Sequence, residues 1–156
     1  MKNDVDILLV EDTASDAELT IRALKKGSAA YRIVHLWDGK EAFDFLMGIG
    51  SYKDRDVNVT PRVILMDLKM PRVTGVQLLA LIKQEKALRT IPIVILTSSK
   101  EDPDMEACYN LGINSYIVKP VGFDDFTNAV STLGLYWMNH NEVPLKLTGN
   151  DRADKR

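Results

Sequence analysis

The sequence has little of what secreted, membrane or metal-thiolate proteins depend on. A single cysteine, Cys108, excludes a disulfide framework within the chain and favours a reducing compartment. The two histidines, His35 and His140, lack the paired spacing of metal ligands. The longest apolar stretches, Ile7–Val10 and Ile91–Leu96, fall far short of the ~20 residues that cross a bilayer. With no signal peptide and a net charge of −2, we expect a cytoplasmic protein that binds neither membrane nor nucleic acid.

The composition is that of an ordinary globular protein. Hydrophobic residues make up 46% of the chain and charged residues 27%. A length of 156 residues suits one domain with a substantial core. We predict that this domain spans residues 4–139 and that a polar tail, residues 140–156, follows it. The charged end of the tail, residues 150–156, is expected to be disordered.

Short apolar runs alternate with amphipathic segments along the whole domain. The candidate strands are Val5–Val10, Tyr31–Leu36, Arg62–Met66, Ile93–Leu96 and Ser115–Val118. Each is followed by apolar residues at helical spacing, which gives five helices. Strict alternation of this kind predicts an α/β fold with a doubly wound parallel sheet of five strands.

Local signals mark where several helices begin or end. Gly27 is expected to stop the first helix. Asp38 with Glu41 three residues later resembles a capping box at the start of the second. Asp102 and Pro103 read as the N-cap and first residue of the fourth.

Polar residues follow the ends of four strands. They are Glu11 and Asp12 after the first strand, Asp67 after the third, Thr97 and Ser98 after the fourth, and Lys119 and Pro120 after the fifth. Ligands of doubly wound sheets bind at the carboxyl ends of the strands, so these residues should share one site. Three converging carboxylates require a hard divalent cation, and we expect Mg²⁺. A lysine and a hydroxyl beside them suit the oxygens of a phosphoryl group.

The chain resembles the response-regulator receiver family of two-component signalling over residues 4–138. The motifs that carry the resemblance are Glu11-Asp12, Met66-Asp67-Leu68-Lys69-Met70-Pro71 with Gly75, Thr97-Ser98, and Tyr116-Ile117-Val118-Lys119-Pro120. The resemblance implies a flavodoxin-like sheet with strand order 2-1-3-4-5. It also implies a protein that accepts a phosphoryl group from a sensor histidine kinase, and that acts only on its own phosphorylation and dephosphorylation rather than as an enzyme.

The resemblance assigns a role to each matching residue. Asp67 would be the phosphoacceptor. Asp12, Asp67 and the backbone carbonyl of Lys69 would hold Mg²⁺, with Glu11 helping directly or through water. The remaining assignments are Thr97 and Lys119 as phosphoryl contacts, Thr97 and Tyr116 as the switch pair, and a cis peptide bond between Lys119 and Pro120. Phosphorylation would then alter the face formed by the fourth helix, fifth strand and fifth helix.

Three segments depart from the common pattern. Lys69 stands where a neutral or acidic side chain is common in the family, and we expect it to alter the lifetime of the phosphorylated state. The loop Gly48–Pro61 is longer than most such connections and reads as a solvated excursion that stays away from the site.

The third departure lies after the last helix. Leu135–Asn139 and Asn141–Pro144 resemble the ends of phytochrome-associated single-domain response regulators, which suggests a phytochrome-type photoreceptor as the kinase. Tyr136, Trp137 and Met138 are candidate contacts for a homodimer or another protein. An equally good interpretation is that Trp137 completes the core stripe of its helix. Too few residues follow position 138 for an effector domain, so output should pass through contact with an unknown protein or through phosphoryl relay.

The sequence leaves three other functions open. A receiver that is not phosphorylated could serve as a scaffold. A phosphatase with an aspartyl nucleophile would place an acid two residues after it, where this chain has Lys69. A flavin-binding module would not place Glu11 and Asp12 where a phosphate must bind.

Overall fold

The computed structural model describes residues 5–144 as five parallel strands with helices on both faces. The strands are β1 (Ile7–Val10), β2 (Ile33–Leu36), β3 (Val63–Met66), β4 (Ile93–Thr97) and β5 (Ser115–Val118). The helices are α1 (Ala14–Lys25), α2 (Gly39–Met47), α3 (Gly75–Gln84), α4 (Asp102–Asn110) and α5 (Phe123–Leu135). The spatial order is β2-β1-β3-β4-β5, which confirms the predicted fold. The predicted disordered end, residues 150–156, lies outside the described residues.

The sheet separates two hydrophobic cores. Every residue of β1, β3 and β4 is buried, as expected for parallel strands that are covered on both faces. Alternate strand residues point to opposite sides, so Leu8 and Ile64 join a core with α2, α3 and α4, whereas Ile7 and Leu65 join one with α1 and α5. The edge strands β2 and β5 are only partly buried.

The segment that follows α5 corrects one prediction. After α5 the chain continues as a π-helical turn, Tyr136–His140. Trp137 is buried in the core between α1 and α5, so its assignment to an interface is wrong and its assignment to the core stripe is right. Met138 packs against the same core, while Tyr136 stays half-exposed.

Helix capping follows the predictions at α2 but not at α4. The Asp38 carboxylate accepts a hydrogen bond from the backbone N–H of Glu41 at 2.8 Å, as predicted, whereas the Glu41 carboxylate accepts from the N–H of Trp37 at 3.4 Å rather than from that of Asp38. At α4 the N-cap is Glu101 rather than Asp102. Ser99 explains the shift, because its hydroxyl accepts from the Glu101 N–H at 3.3 Å and donates to Asp104 at 2.5 Å. Proline is still tolerated there, since the first helical N–H groups have no partner within the helix.

The loop between α2 and β3 is attached to α2 by two side chains. A short 3₁₀ turn, Gly50–Tyr52, opens it. The Tyr52 hydroxyl donates to Glu41 at 2.8 Å, and the Arg55 guanidinium lies 4.0 Å from the centre of the Phe45 ring. Tyr52 and Arg55 therefore attach the loop to α2, while most of its other residues, including Lys53, Asp54 and Asp56, are exposed as predicted. Within residues 5–144, no helix has the length and apolarity that crossing a membrane requires.

Candidate functional site

The strand register brings four chain segments to one edge of the sheet. Val10 at the end of β1 pairs with Met66 at the end of β3, so Glu11 and Asp67 follow neighbouring residues. Thr97 pairs with Val118 across β4 and β5, and the Lys119 N–H donates to the Thr97 carbonyl at 2.7 Å. The residues predicted from separate strand ends therefore lie together.

The Lys119 ammonium lies at the centre of this group. Its Nζ is 3.1 Å from Oδ2 of Asp67 and 3.2 Å from Oε1 of Glu11. A third carboxylate, that of Asp16, lies 2.9 Å away. Burial lowers the pKa of Lys119, but the hydrogen bond with Asp16 and the charges of Asp67 and Glu11 outweigh it, so the pKa is raised. Lys119 is therefore a permanent positive charge in the site.

Asp16 is a site residue that the strand-end pattern did not predict. It lies in the first turn of α1, one helical turn beyond Asp12. The signal was available, because the first turn of a helix that follows a strand end faces the same edge of the sheet. Asp16 was hidden by its position inside a helical pattern rather than directly after a strand.

Three carboxylates form a cluster that fits a divalent cation. One oxygen each from Glu11, Asp12 and Asp67 lies within 4.8 Å of the others. Glu11 and Asp67 are buried, whereas Asp12 is exposed. Burial raises the pKa of Glu11 to about 8, with the negative charges of Asp67 and Asp16 adding to the rise and Lys119 opposing it. The cluster carries more negative charge than Lys119 balances, and all-oxygen ligands suit Mg²⁺ or Mn²⁺.

The predicted switch residues are joined through Ser99. Thr97 is fully buried, and its hydroxyl accepts a hydrogen bond from the Ser99 N–H at 3.2 Å. The Tyr116 hydroxyl donates to the Ser99 carbonyl at 3.0 Å. Ser98, also considered from the sequence, is exposed. Ser99 thus connects the two residues that the resemblance paired, and its link to Asp104 extends the connection to α4.

The loop after Asp67 is held at both ends. The Asp67 carboxylate accepts from the Leu68 N–H at 2.6 Å, and the Gly75 N–H donates to the Leu68 carbonyl at 2.8 Å. Arg72 has a positive φ of 64° and forms an ion pair with Asp38, the cap of α2. The Lys69 side chain in this loop is exposed.

The expected cis bond between Lys119 and Pro120 is wrong, since every peptide bond across residues 5–144 is trans. The trans isomer is the intrinsically favoured one before proline, by roughly 0.5–1 kcal/mol. The ammonium of Lys119 reaches Asp67 from this trans backbone.

A doubly wound sheet with carboxylates, a lysine and a buried hydroxyl at its carboxyl edge defines a class of α/β proteins built to bind a cation and a phosphoryl group. Residues 7–131 match the response regulator receiver domain. The chain belongs to this family.

Two similar proteins come from Methanothrix harundinacea and Synechocystis. The probable methanogenesis regulatory protein FilR2 of Methanothrix harundinacea is 38% identical over 88% of this chain and 86% of its own length. The response regulator Rcp1 of Synechocystis is 35% identical over 88% of this chain and 92% of its own length. A crystal structure of Rcp1 with bound Mn²⁺ has a TM-score of 0.83 and 34% identity, and covers 90% of this chain and 99% of that chain. The phosphorylated cyanobacterial phytochrome response regulator RcpA has the same TM-score and coverage at 31% identity.

Proposed function

We propose that this protein accepts a phosphoryl group on Asp67 from the phosphohistidine of a sensor histidine kinase. The observation that carries the proposal is the 3.1 Å contact between Lys119 Nζ and Asp67 Oδ2 beside the buried Glu11 carboxylate. A carboxylate held against a fixed positive charge, at the edge where doubly wound sheets bind ligands, is suited to act as a nucleophile toward phosphorus.

The transfer exchanges one bond to phosphorus for another. A carboxylate oxygen of Asp67 forms an O–P bond, the N–P bond of the phosphohistidine breaks, and the electron pair returns to the histidine nitrogen, which takes up a proton. Lys119 offsets the negative charge of the phosphoryl oxygens. Thr97 would donate its hydroxyl hydrogen to one of these oxygens.

A divalent cation fits the same site. Asp12, Asp67 and the backbone carbonyl of Lys69 would hold it, with Glu11 directly or through water. Bound Mn²⁺ in Rcp1 supports a divalent ion here, and Mg²⁺ is the ion that we propose. When bound, such a cation neutralises negative charge on phosphoryl oxygens. Without it, Glu11 is driven toward its protonated form by burial and by the neighbouring carboxylates.

The phosphorylated state would be sensed on the face of α4, β5 and α5. If the Thr97 hydroxyl turns to a phosphoryl oxygen, the surroundings of the Ser99 N–H change. The Ser99 carbonyl and hydroxyl contact Tyr116 and Asp104, so the change reaches β5 and α4. The half-exposed Tyr136 and the partly buried Met138 lie next to this face in sequence and are the remaining candidates for a homodimer or partner contact.

A phytochrome-type photoreceptor is the kinase that we propose. The description of RcpA as a phytochrome response regulator supports it, together with the resemblance of residues 135–144. FilR2, the methanogenesis regulator, supports a different stimulus for the same chemistry. We further propose a receiver domain of residues 4–139 in the cytoplasm, without enzymatic activity toward other substrates.

Intact-mass analysis after incubation with Mg²⁺ and acetyl phosphate tests the proposal. We expect one added phosphoryl group on the wild type and none on Asp67→Asn or in excess chelator. Asp54→Asn is the matched control, because it removes the same group from an exposed loop position and should still be phosphorylated. A wild type that binds Mg²⁺ but gains no mass would instead support the unphosphorylated scaffold.

A further inference from the structure

The Asp16 carboxylate makes the shortest of the three ion pairs of Lys119. The distances are 2.9 Å to Asp16, 3.1 Å to Asp67 and 3.2 Å to Glu11. An ammonium group has three N–H donors, so these three carboxylates occupy all of them. While Asp67 is still a free carboxylate, an oxygen of an incoming phosphodonor can take one of these N–H groups only if a carboxylate releases it.

Solvent exposure indicates which carboxylate is released. The side chain of Glu11 is 4% exposed and that of Asp67 is 11% exposed, whereas that of Asp16 is 40% exposed. A buried carboxylate that loses its partner keeps a poorly solvated charge, which is strongly unfavourable. Asp16 can be hydrated instead. It also lies in the first turn of α1, where the helix dipole favours a negative charge with or without Lys119.

We propose that Asp16 is a positioning residue that holds Lys119 in the unphosphorylated protein and competes with the phosphoryl group for one N–H of its ammonium. The inference rests on the proposed phosphorylation of Asp67. Asp16 also adds negative charge to a site that must admit an anionic donor. Both effects oppose phosphorylation, so Asp16 slows the entry of the phosphoryl group.

The test compares phosphorylation rates at saturating Mg²⁺ and a low concentration of acetyl phosphate, followed by intact mass. Asp16→Asn keeps the size of the side chain and removes its charge, and we expect a rate constant about fivefold above wild type, as for the loss of one partly exposed ion pair. Asp16→Glu retains the charge and should stay close to wild type. Glu18→Gln is the matched control, since Glu18 lies on the same helix and pairs with Arg22 at 2.7 Å. It should leave the rate constant unchanged.

A second measurement examines the ion pair without any phosphodonor. The ¹⁵N signal of the Lys119 ammonium should shift in Asp16→Asn and stay in place in Glu18→Gln. An unshifted signal in Asp16→Asn would overturn the inference. So would a rate constant for Asp16→Asn that equals or falls below that of wild type, provided that wild type is phosphorylated. A wild type that gains no phosphoryl group would overturn the proposed function itself, and this inference with it.

Discussion

Gly75 lies against the backbone of Asp67. A Cβ added at Gly75 would be 2.3 Å from the carbonyl oxygen of Asp67 and 2.6 Å from the Cα of Leu68. Both of these neighbours are backbone atoms, so no side-chain rotation can relieve the contact. The absence of a side chain at residue 75 is therefore what lets the start of α3 approach the end of β3.

Gly75→Ala should lower the free energy of unfolding by about 1–3 kcal/mol, since an extra methyl group is forced into a packed region. It should also weaken Mg²⁺ binding, because the backbone that carries Asp67 must move. Urea unfolding and calorimetric titration measure the two effects. Gly122→Ala is the control, as its Cβ would meet nothing nearer than 3.5 Å. Equal stability of the two variants would contradict the prediction.

Asp38 both caps α2 and pairs with Arg72 of the loop after Asp67. Asp38→Ala should lower the free energy of unfolding by about 1–2 kcal/mol, the usual effect of losing a side-chain N-cap. Glu101→Ala changes the N-cap of α4, which makes no capping hydrogen bond, and should have a much smaller effect. Thermal and urea unfolding of the two variants provide the comparison, and similar losses would show that the cap at α2 is not specifically stabilising.

Mg²⁺ binding should depend on pH through Glu11. The pKa of this carboxyl is raised from 4.5 to about 8, chiefly by burial, and a cation must displace the bound proton. The apparent affinity for Mg²⁺ should therefore rise from pH 6 to pH 8, by up to about tenfold per unit, and then level off. Calorimetric titration across this range measures it. Glu11→Gln should bind more weakly and lose most of the slope, whereas Asp12→Asn should bind more weakly and keep it.

The same raised pKa has a consequence for stability in the absence of a cation. The folded protein holds the Glu11 proton more tightly than the unfolded chain does, so protonation stabilises the fold. This contribution is complete below about pH 4.5 and is lost as the pH rises through about 8. With chelator present, the free energy of unfolding of wild type should fall between pH 6 and pH 8.5. That of Glu11→Gln should fall less over the same range. If the free energy of unfolding changes with pH equally in wild type and Glu11→Gln, Glu11 is not the group responsible.

Lys69→Asn should shorten the lifetime of the aspartyl phosphate. The Lys69 ammonium is exposed and forms no ion pair within residues 5–144, so it is free to approach a phosphoryl group on Asp67. Its loss should raise the dephosphorylation rate constant on the order of fivefold, as for a charge pair that water partly screens. Loss of the added mass over time measures the rate. Lys53→Asn, in the distant loop, is the control and should match wild type. An unchanged rate for Lys69→Asn would show that Lys69 does not affect the lifetime of the phosphorylated state.

Cys108 should be inert toward thiol reagents in the native protein. It is fully buried within the core, and burial raises the pKa of its thiol to about 11. At pH 8 the Cys108 thiol is therefore almost entirely protonated, and its sulfur is not accessible to the reagent. Labelling with a chromogenic disulfide should be complete in denaturant and negligible without it, while Lys100→Cys, at an exposed position, should label at once. Rapid native labelling of wild type would indicate that α4 opens locally.

Much of the fold follows from local sequence pattern. Runs such as Ile7–Val10 and Val63–Met66 consist of large apolar residues, and such runs between amphipathic helices are stable mainly as parallel strands buried on both faces. The predicted strands began one or two residues too early at Val5, Tyr31 and Arg62. At Arg62 the hydrogen bonds between strands have already begun, since its N–H donates to the Asp6 carbonyl at 2.9 Å, but the regular pairing of residues starts at Val63.

The sequence by itself also determined which residues meet, because the carboxyl ends of parallel strands must share one edge; this placed Glu11, Asp67 and Lys119 together. The sequence could place Asp16 only at this same edge, and the tertiary structure brought it to 2.9 Å from Lys119, 103 residues away. It also placed Trp137 in the core and left the bond before Pro120 trans. The first two outcomes depend on contacts of α1 and α5 whose distances must be right to within a few tenths of the usual ~3 Å. The third depends on a free-energy difference of about 1 kcal/mol between the two peptide isomers. Periodicity and spacing record which face a residue occupies, but not distances and free energies this small.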